Sequence, residues 1–125
     1  MIIARFRRDR RGASALEFAL IAPAFFIFVF AIIECGLMLW TQIGMQHGAE
    51  MAARCASVNT AMCGDTAAIT SYAAQQALGL SLTSSTFSVA TPGCGNQVSA
   101  SYVFQFPQIL NVAPLTLSAQ ACFPS

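Results

Sequence analysis

The sequence predicts an α+β protein: a long N-terminal transmembrane helix that carries a small exported domain with a second helix and a three-stranded antiparallel sheet. Three observations lead to this fold. A long apolar tract follows a short basic segment, charges are sparse beyond it, and alternating β-type residues begin only after Gly79. Charged residues make up 9% of the chain, whereas a typical soluble protein has about 25%. A purely soluble globular protein is therefore not expected.

Residues 1–12 form a basic leader that sets the expected orientation. The six basic side chains are all arginines, and five of them lie in this segment: Arg5, Arg7, Arg8, Arg10 and Arg11. Arginines that flank a membrane segment stay in the cytoplasm, so the N-terminus is expected inside and the chain beyond the span outside. Only Arg54 lies elsewhere, and a nucleic-acid partner is therefore not expected.

The transmembrane helix is predicted over residues 13–40. Its apolar part, Phe18 to Trp40, corresponds to about 35 Å of helix, enough to cross a bilayer. Trp40 suits the far interface, where its indole N–H stays wet. The tract is too long for a signal-peptide core and no small-x-small site closely follows it, so we expect a signal anchor. Pro23 predicts a kink or local unwinding.

Residues 41–57 are expected to continue this helix beyond the membrane, and residues 58–125 to form the small domain. Gly44, Gly48 and Ala52 recur every four residues and therefore share one helix face. Such a smooth face allows a close approach by the helix of another protein or by the chain's own small domain. The sequence leaves both alternatives open.

The small domain is expected to begin with a second helix over Thr66–Leu78. Asp65 is the expected N-cap, and Gly79 the stop signal. Alternating apolar and polar residues then predict strands, separated by turns rich in proline and glycine. The three strands are Thr86–Thr91, Val98–Phe106 and Leu115–Cys122.

The cysteines predict two disulfides in an oxidising compartment. Four lie beyond the span and allow three pairings. A three-stranded meander brings the end of the third strand beside the start of the second, which favours Cys94–Cys122. A Cys55–Cys63 bridge would staple the corner between the two helices, and Cys35 stays free in lipid. Zinc is not expected, because the chain has no Cys-x-x-Cys pair and a single histidine.

The sequence has no catalytic or cofactor-binding constellation, so the protein is expected not to be an enzyme and to need no cofactor. The acidic residues are scattered, and His47 has only Glu50 nearby. We interpret that pair as a surface hydrogen bond rather than a catalytic dyad. Glu34 lies nearer the outer end of the span, where it either reaches the interface or takes part in packing or recognition.

The junction between leader and tract has the features of a processing site. Gly12 ends the basic leader, and Glu17 follows five residues later with Phe18 beside it. A charged side chain in a membrane segment is costly and is by default functional. This Gly-x-x-x-x-Glu-Phe pattern resembles the processing site of type IV pilin-like precursors, in particular the Flp pilins and TadE-like pseudopilins of tight-adherence (Tad) pili. The run from Val98 to Pro124 also resembles the usual ending of TadE-like proteins.

The resemblance implies that the chain is anchored in the bacterial inner membrane by a single span and that a prepilin peptidase cleaves it between Gly12 and Ala13. Glu17, with Phe18, would then support assembly by meeting the terminal amine of a neighbouring subunit, since two charges that are costly alone in lipid become tolerable as a pair. The implied partners are the peptidase, the Flp pilin, a second pseudopilin and the inner-membrane platform. Phe18 in place of the frequent tyrosine, and a chain far longer than a major Flp pilin, imply a minor pseudopilin with a periplasmic domain.

Two other function classes are consistent with parts of the sequence. One is an uncleaved, signal-anchored envelope protein that binds a partner through its exported domain, with Glu17 reaching the cytoplasmic headgroups. The other is a membrane-tethered periplasmic enzyme. The N-terminus of the mature protein separates the first from a pilin, and the lack of clustered polar residues disfavours the second.

Overall fold

A computed structural model of the chain describes residues 11–108 and 111–125. Its elements confirm the predicted α+β class, with a long apolar helix, a second helix and a three-stranded antiparallel sheet. Helix α1 runs Arg11–Val58. The chain divides into two compact units, Met1–Gly36 and Leu37–Ser125, here called the N-terminal and C-terminal units. The predicted basic leader lies outside the described residues, except for its last two positions.

In the N-terminal unit, α1 turns large apolar side chains outward. Phe18 is 71% exposed, and every large apolar side chain from Leu16 to Ile33 except Val29 is at least half exposed. The helix remains helical through Pro23, so the expected local unwinding is not found. None of its most apolar window is buried, unlike the core helix of a soluble protein. By length, composition and exposure, α1 is a candidate membrane span.

In the C-terminal unit, α1 packs with the second helix and the sheet around one apolar core. Apart from Met45, the core side chains that α1 contributes are alanines. The core residues are Met45, Ala49, Ala52, Ala53, Ala56, Cys63, Ile69, Ala73, Ala77, Phe87, Val98, Ala100, Leu117 and Ala119.

The smooth face of α1 packs against the chain's own C-terminal unit. A Cβ atom added to Gly48 would lie 2.6 Å from the carbonyl oxygen of Ala73 and 3.4 Å from Phe87 Cζ. One added to Gly44 would overlap Leu80 Cδ1. Ala52 is fully buried. Of the two alternatives left open by the sequence, the structure contains the packing on the chain's own domain.

Helix α2, Thr66–Gln75, begins at the predicted residue. Oδ1 of Asp65 accepts a hydrogen bond of 2.7 Å from the backbone N–H of Ala68, as an N-cap does. The predicted end at Leu78 is wrong, because the helix ends at Gln75 with Gln76 as its C-cap. Leu78 and Gly79 both have positive φ, +52° and +77°, and this left-handed turn directs Leu80 toward Gly44.

The sheet has the order β1-β2-β3 and is antiparallel throughout. A short 3₁₀ turn, Ser84–Thr86, precedes it. The strands are β1, Phe87–Ala90; β2, Asn96–Phe104; and β3, Leu115–Phe123. The predicted end of β2 at Phe106 is wrong. Phe104 already pairs with Leu115, the first residue of β3, so Phe106 lies beyond the ladder, with its ring 5.2 Å from that of Phe104.

The structure contains disulfides Cys55–Cys63 and Cys94–Cys122, the two pairings expected from the sequence. Their Cα separations are 5.8 Å and 6.3 Å, within the range of about 4.4–6.8 Å that a disulfide allows. The strand register places Cys122 opposite Gln97, just after the turn that holds Cys94. Cys35 is free and exposed.

Side chains of α1 bind the outer edge of β3. Gln42 Nε2 donates to the carbonyl oxygen of Ser118 at 2.7 Å, and Gln46 Nε2 donates to that of Gln120 at 3.3 Å. Successive carbonyls along a strand alternate in direction, so these two oxygens point to the same side of β3, the side on which the glutamines of α1 lie. The glutamines therefore satisfy backbone groups that the sheet itself leaves unpaired.

Candidate processing and assembly site

The peptide expected to be cleaved, Gly12–Ala13, lies in the first turn of α1. Both residues are exposed, and nothing lies within 4 Å of the position that a Cβ on Gly12 would take. The Gly12–Ala13 bond is therefore exposed on the surface of the described part of α1.

Glu17 is an exposed carboxylate one helical turn after Ala13. Its neighbours Leu16 and Phe18 are apolar and 65% and 71% exposed. Within residues 11–108 and 111–125, no hydrogen bond or ion pair involves Glu17. The helix thus presents an unpaired carboxylate on an apolar surface.

An apolar groove begins directly after Glu17. Phe18, Ile21, Phe25 and Phe26 form its walls, and the small side chain of Ala22 lies between them. The rings of Phe25 and Phe26 pack edge to face, with centroids 5.8 Å apart. A side chain of a second helix can insert over a small residue flanked by large ones.

Sequence reasoning had named Glu17 and Phe18 but had missed this groove. Its residues lie at positions i, i+3, i+4, i+7 and i+8 from Phe18, which is the spacing of one helix face. A small residue between phenylalanines at that spacing was the signal available in the sequence. In the N-terminal unit the helix therefore brings four predicted site residues and this groove together: Gly12, Ala13, Glu17 and Phe18.

The remaining polar residues singled out in the sequence have structural contacts elsewhere. His47 Nδ1 donates to the carbonyl oxygen of Gln76 at 2.9 Å, which satisfies the end of α2. Glu50 Oε1 accepts from Gln46 Nε2 at 2.8 Å. The predicted His47–Glu50 hydrogen bond is therefore wrong. Glu34 is half-buried along α1.

Comparison with protein-family models gives a match to the family described as TadE-like protein, over residues 12–54. The chain is TadE-like over this segment. The resemblance deduced from Gly12, Glu17 and Phe18 is thereby confirmed. Searches of the curated proteins and of the solved structures found no match.

The first and last residues of the TadE-like segment show which elements of the fold the family match covers. It begins at Gly12 and ends at Arg54, so it covers the apolar helix and most of its continuation in the C-terminal unit. It includes every residue of the candidate site and leaves out α2 and the sheet. The resemblance drawn for Val98 to Pro124 stays a prediction. The match covers 43 of the 125 residues, so the likeness is to this segment of the chain.

Proposed function

We propose that the chain is a TadE-like minor pilin or pseudopilin that supports assembly of a Tad (Flp-type) pilus, after processing behind Gly12 by a prepilin peptidase. Glu17 carries this proposal. Its carboxylate is exposed on an apolar helix surface, has no partner in the described chain, and lies one turn after the bond to be cut. In lipid such a group is stabilised when another chain supplies a positive charge.

Cleavage would create that positive charge. The new α-amine on Ala13 lies about 6 Å along the helix axis from Glu17 of the same chain, at 1.5 Å per residue. A neighbouring subunit shifted by about one turn would place its amine at the level of this glutamate. The groove over Ala22 would accept a side chain of the same neighbour. Ion pair and apolar contact together would fix the register between two subunits.

In this proposal the chain is a substrate and a structural subunit rather than an enzyme. Its partners are the prepilin peptidase, the Flp pilin, a second pseudopilin and the inner-membrane platform. The N-terminus faces the cytoplasm, and the C-terminal unit lies in the periplasm. The basic leader and the candidate membrane span support this orientation.

Replacement of Gly12 by leucine tests the processing step. Gly36→Leu is the matched control, because the space around the Cβ position is open at both glycines. In cells with an active prepilin peptidase, wild type and Gly36→Leu should begin at Ala13. Gly12→Leu should remain full length, because the side chain obstructs the peptidase rather than the fold. Intact-protein mass spectrometry of the membrane fraction measures both outcomes.

Retention of Met1 in the wild-type protein under those conditions would contradict the proposal. It would favour the signal-anchored envelope protein, which is never cleaved. Equal cleavage of wild type and Gly12→Leu would show that the peptidase cuts at another bond.

A further inference from the structure

A second surface of the molecule has the features of a binding site for a protein. It is a groove in the C-terminal unit between the end of α1, the loop closed by the Cys55–Cys63 disulfide, and α2. Met51, Arg54, Val58, Met62 and Tyr72 line it. The first three lie at i, i+3 and i+7 on α1, so they share one helix face.

The apolar side chains of this groove are strongly exposed. Val58 is 74% exposed and Met62 is 58% exposed, the highest values among the large apolar side chains described in the C-terminal unit. Val58 lies about 27 Å along α1 beyond Trp40, at 1.5 Å per residue. If the membrane span ends at Trp40, the bilayer does not reach Val58 or Met62. Clustered exposed apolar side chains of this kind mark protein interaction sites.

Arg54 gives the groove its charge. It is the only arginine or lysine after Arg11 in the whole sequence, and it is exposed. Within the described residues no ion pair or hydrogen bond involves Arg54, and Glu50, one turn before it, is bound to Gln46. An unpaired arginine beside apolar side chains is a combination enriched at the centres of protein interfaces.

The groove is also held in shape before any partner binds. The disulfide fixes the loop to α1, and Asp65 caps α2 just after that loop. A binding site that is ordered in advance loses less entropy on association. The two methionines, being flexible, adapt to the shape of the side chain they receive.

We propose that this groove binds another protein that presents a carboxylate beside an apolar side chain. In a second copy, the acidic side chains of the C-terminal unit are Glu50 and Asp65, and each already accepts a hydrogen bond within its own unit. Glu17 lies near the opposite end of α1 from Arg54. We therefore assign the carboxylate to a different protein, and a second copy is the competing outcome of the test. The inference goes beyond the proposed function, and it does not depend on cleavage after Gly12.

The test uses the full chain in its own cells, with a photo-crosslinking amino acid at Met62. The crosslinked peptide is identified by mass spectrometry. It should come from a different protein and contain an acidic residue. Arg54→Glu should lower its yield about tenfold, the equivalent of about 1.4 kcal/mol of binding. Arg54→Lys, which keeps the charge, should retain most of it. Exchange of the partner's acidic residue for lysine should restore the yield in Arg54→Glu.

Equal yields in Arg54→Glu and Arg54→Lys would overturn the proposal, as would crosslinks only to lipid or to a second copy. Val58→Asn is a second variant that removes apolar surface and keeps the arginine. It should also reduce the yield, and an unchanged yield would contradict the role of the apolar side chains. Both substituted residues are exposed, so the fold should survive. The N-terminus of the same samples reports separately on processing.

Discussion

Between Leu16 and Ile33, α1 exposes almost all of its large apolar side chains, whereas between Gly44 and Ala56 the same helix buries small ones. Both segments are helical and poor in charge, so the difference lies in what covers them. In the second segment the cover is α2 and the sheet, which approach closely because Gly44 and Gly48 have no side chains. In the first, no described part of the chain supplies a cover. One continuous helix therefore has an exposed segment and a segment that packs against its own chain.

Substitutions in the first segment should leave the stability of the protein intact but should impair pilus assembly. Glu17→Ala should insert into the membrane more easily, by up to about 2.5–3.5 kcal/mol if Glu17 lay at the bilayer centre and by less at its edge. Piliation should nevertheless be lost, because the neighbour's amine has no partner. Membrane fractionation and pilus counts by electron microscopy measure the two effects.

Glu50→Ala is the control for this prediction, since Glu50 is also exposed but lies in the second segment and binds Gln46 of its own chain. It should leave piliation intact. Normal piliation in Glu17→Ala would instead indicate a glutamate that only reaches the headgroups.

The second segment belongs to a unit whose stability depends on its covalent links. Replacement of both Cys94 and Cys122 by serine should lower the free energy of unfolding by about 3.6 kcal/mol, from the loop-entropy relation for a separation of 28 residues. The same change at Cys55 and Cys63, separated by 8 residues, should cost about 2.5 kcal/mol. Denaturant unfolding of the full chain in detergent gives these values.

Cys35→Ser provides the comparison for the disulfide variants, because that thiol is free and lies in the exposed segment. Its unfolding free energy should match that of wild type. A loss in Cys35→Ser as large as in the disulfide variants would mean that the two segments unfold as one.

The smallest change that distinguishes the packed segment from the exposed one is the addition of a single methyl group. Gly48→Ala places its Cβ against a backbone carbonyl, which cannot rotate away, so the variant should lose about 1–3 kcal/mol of stability. Gly36→Ala meets open space and should be neutral or stabilising, since alanine favours a helix over glycine by about 1 kcal/mol. Thermal unfolding of both variants provides the comparison, and equal losses would contradict the close packing at Gly48.

Features set by short-range chemistry could be predicted from the sequence. Asp65 before an apolar run is an N-cap wherever the rest of the chain lies, and the structure has it there. The meander of three strands needed only alternation and turn residues, and its register brings Cys94 near Cys122. The Gly-x-x-x-x-Glu-Phe pattern that begins at Gly12 is likewise local, and the family match covers it.

Features decided by distant contacts could not be predicted. The partner of the Gly44 and Gly48 face depends on where Leu80 and Ala73 lie in space. The chain after α2 reverses at Leu78, a residue type that does not signal a left-handed turn. His47 and Glu50 are close in sequence, yet longer-range packing gives His47 the carbonyl oxygen of Gln76 instead.

The amides of Gln42 and Gln46 have a consequence for self-association. An open sheet margin is a template on which a foreign strand can add, and many copies crowded at one membrane would raise that hazard. On β3 an incoming strand would have to displace both amides from Ser118 and Gln120 before it gained a backbone hydrogen bond there. Growth by β-augmentation at this margin is therefore disfavoured.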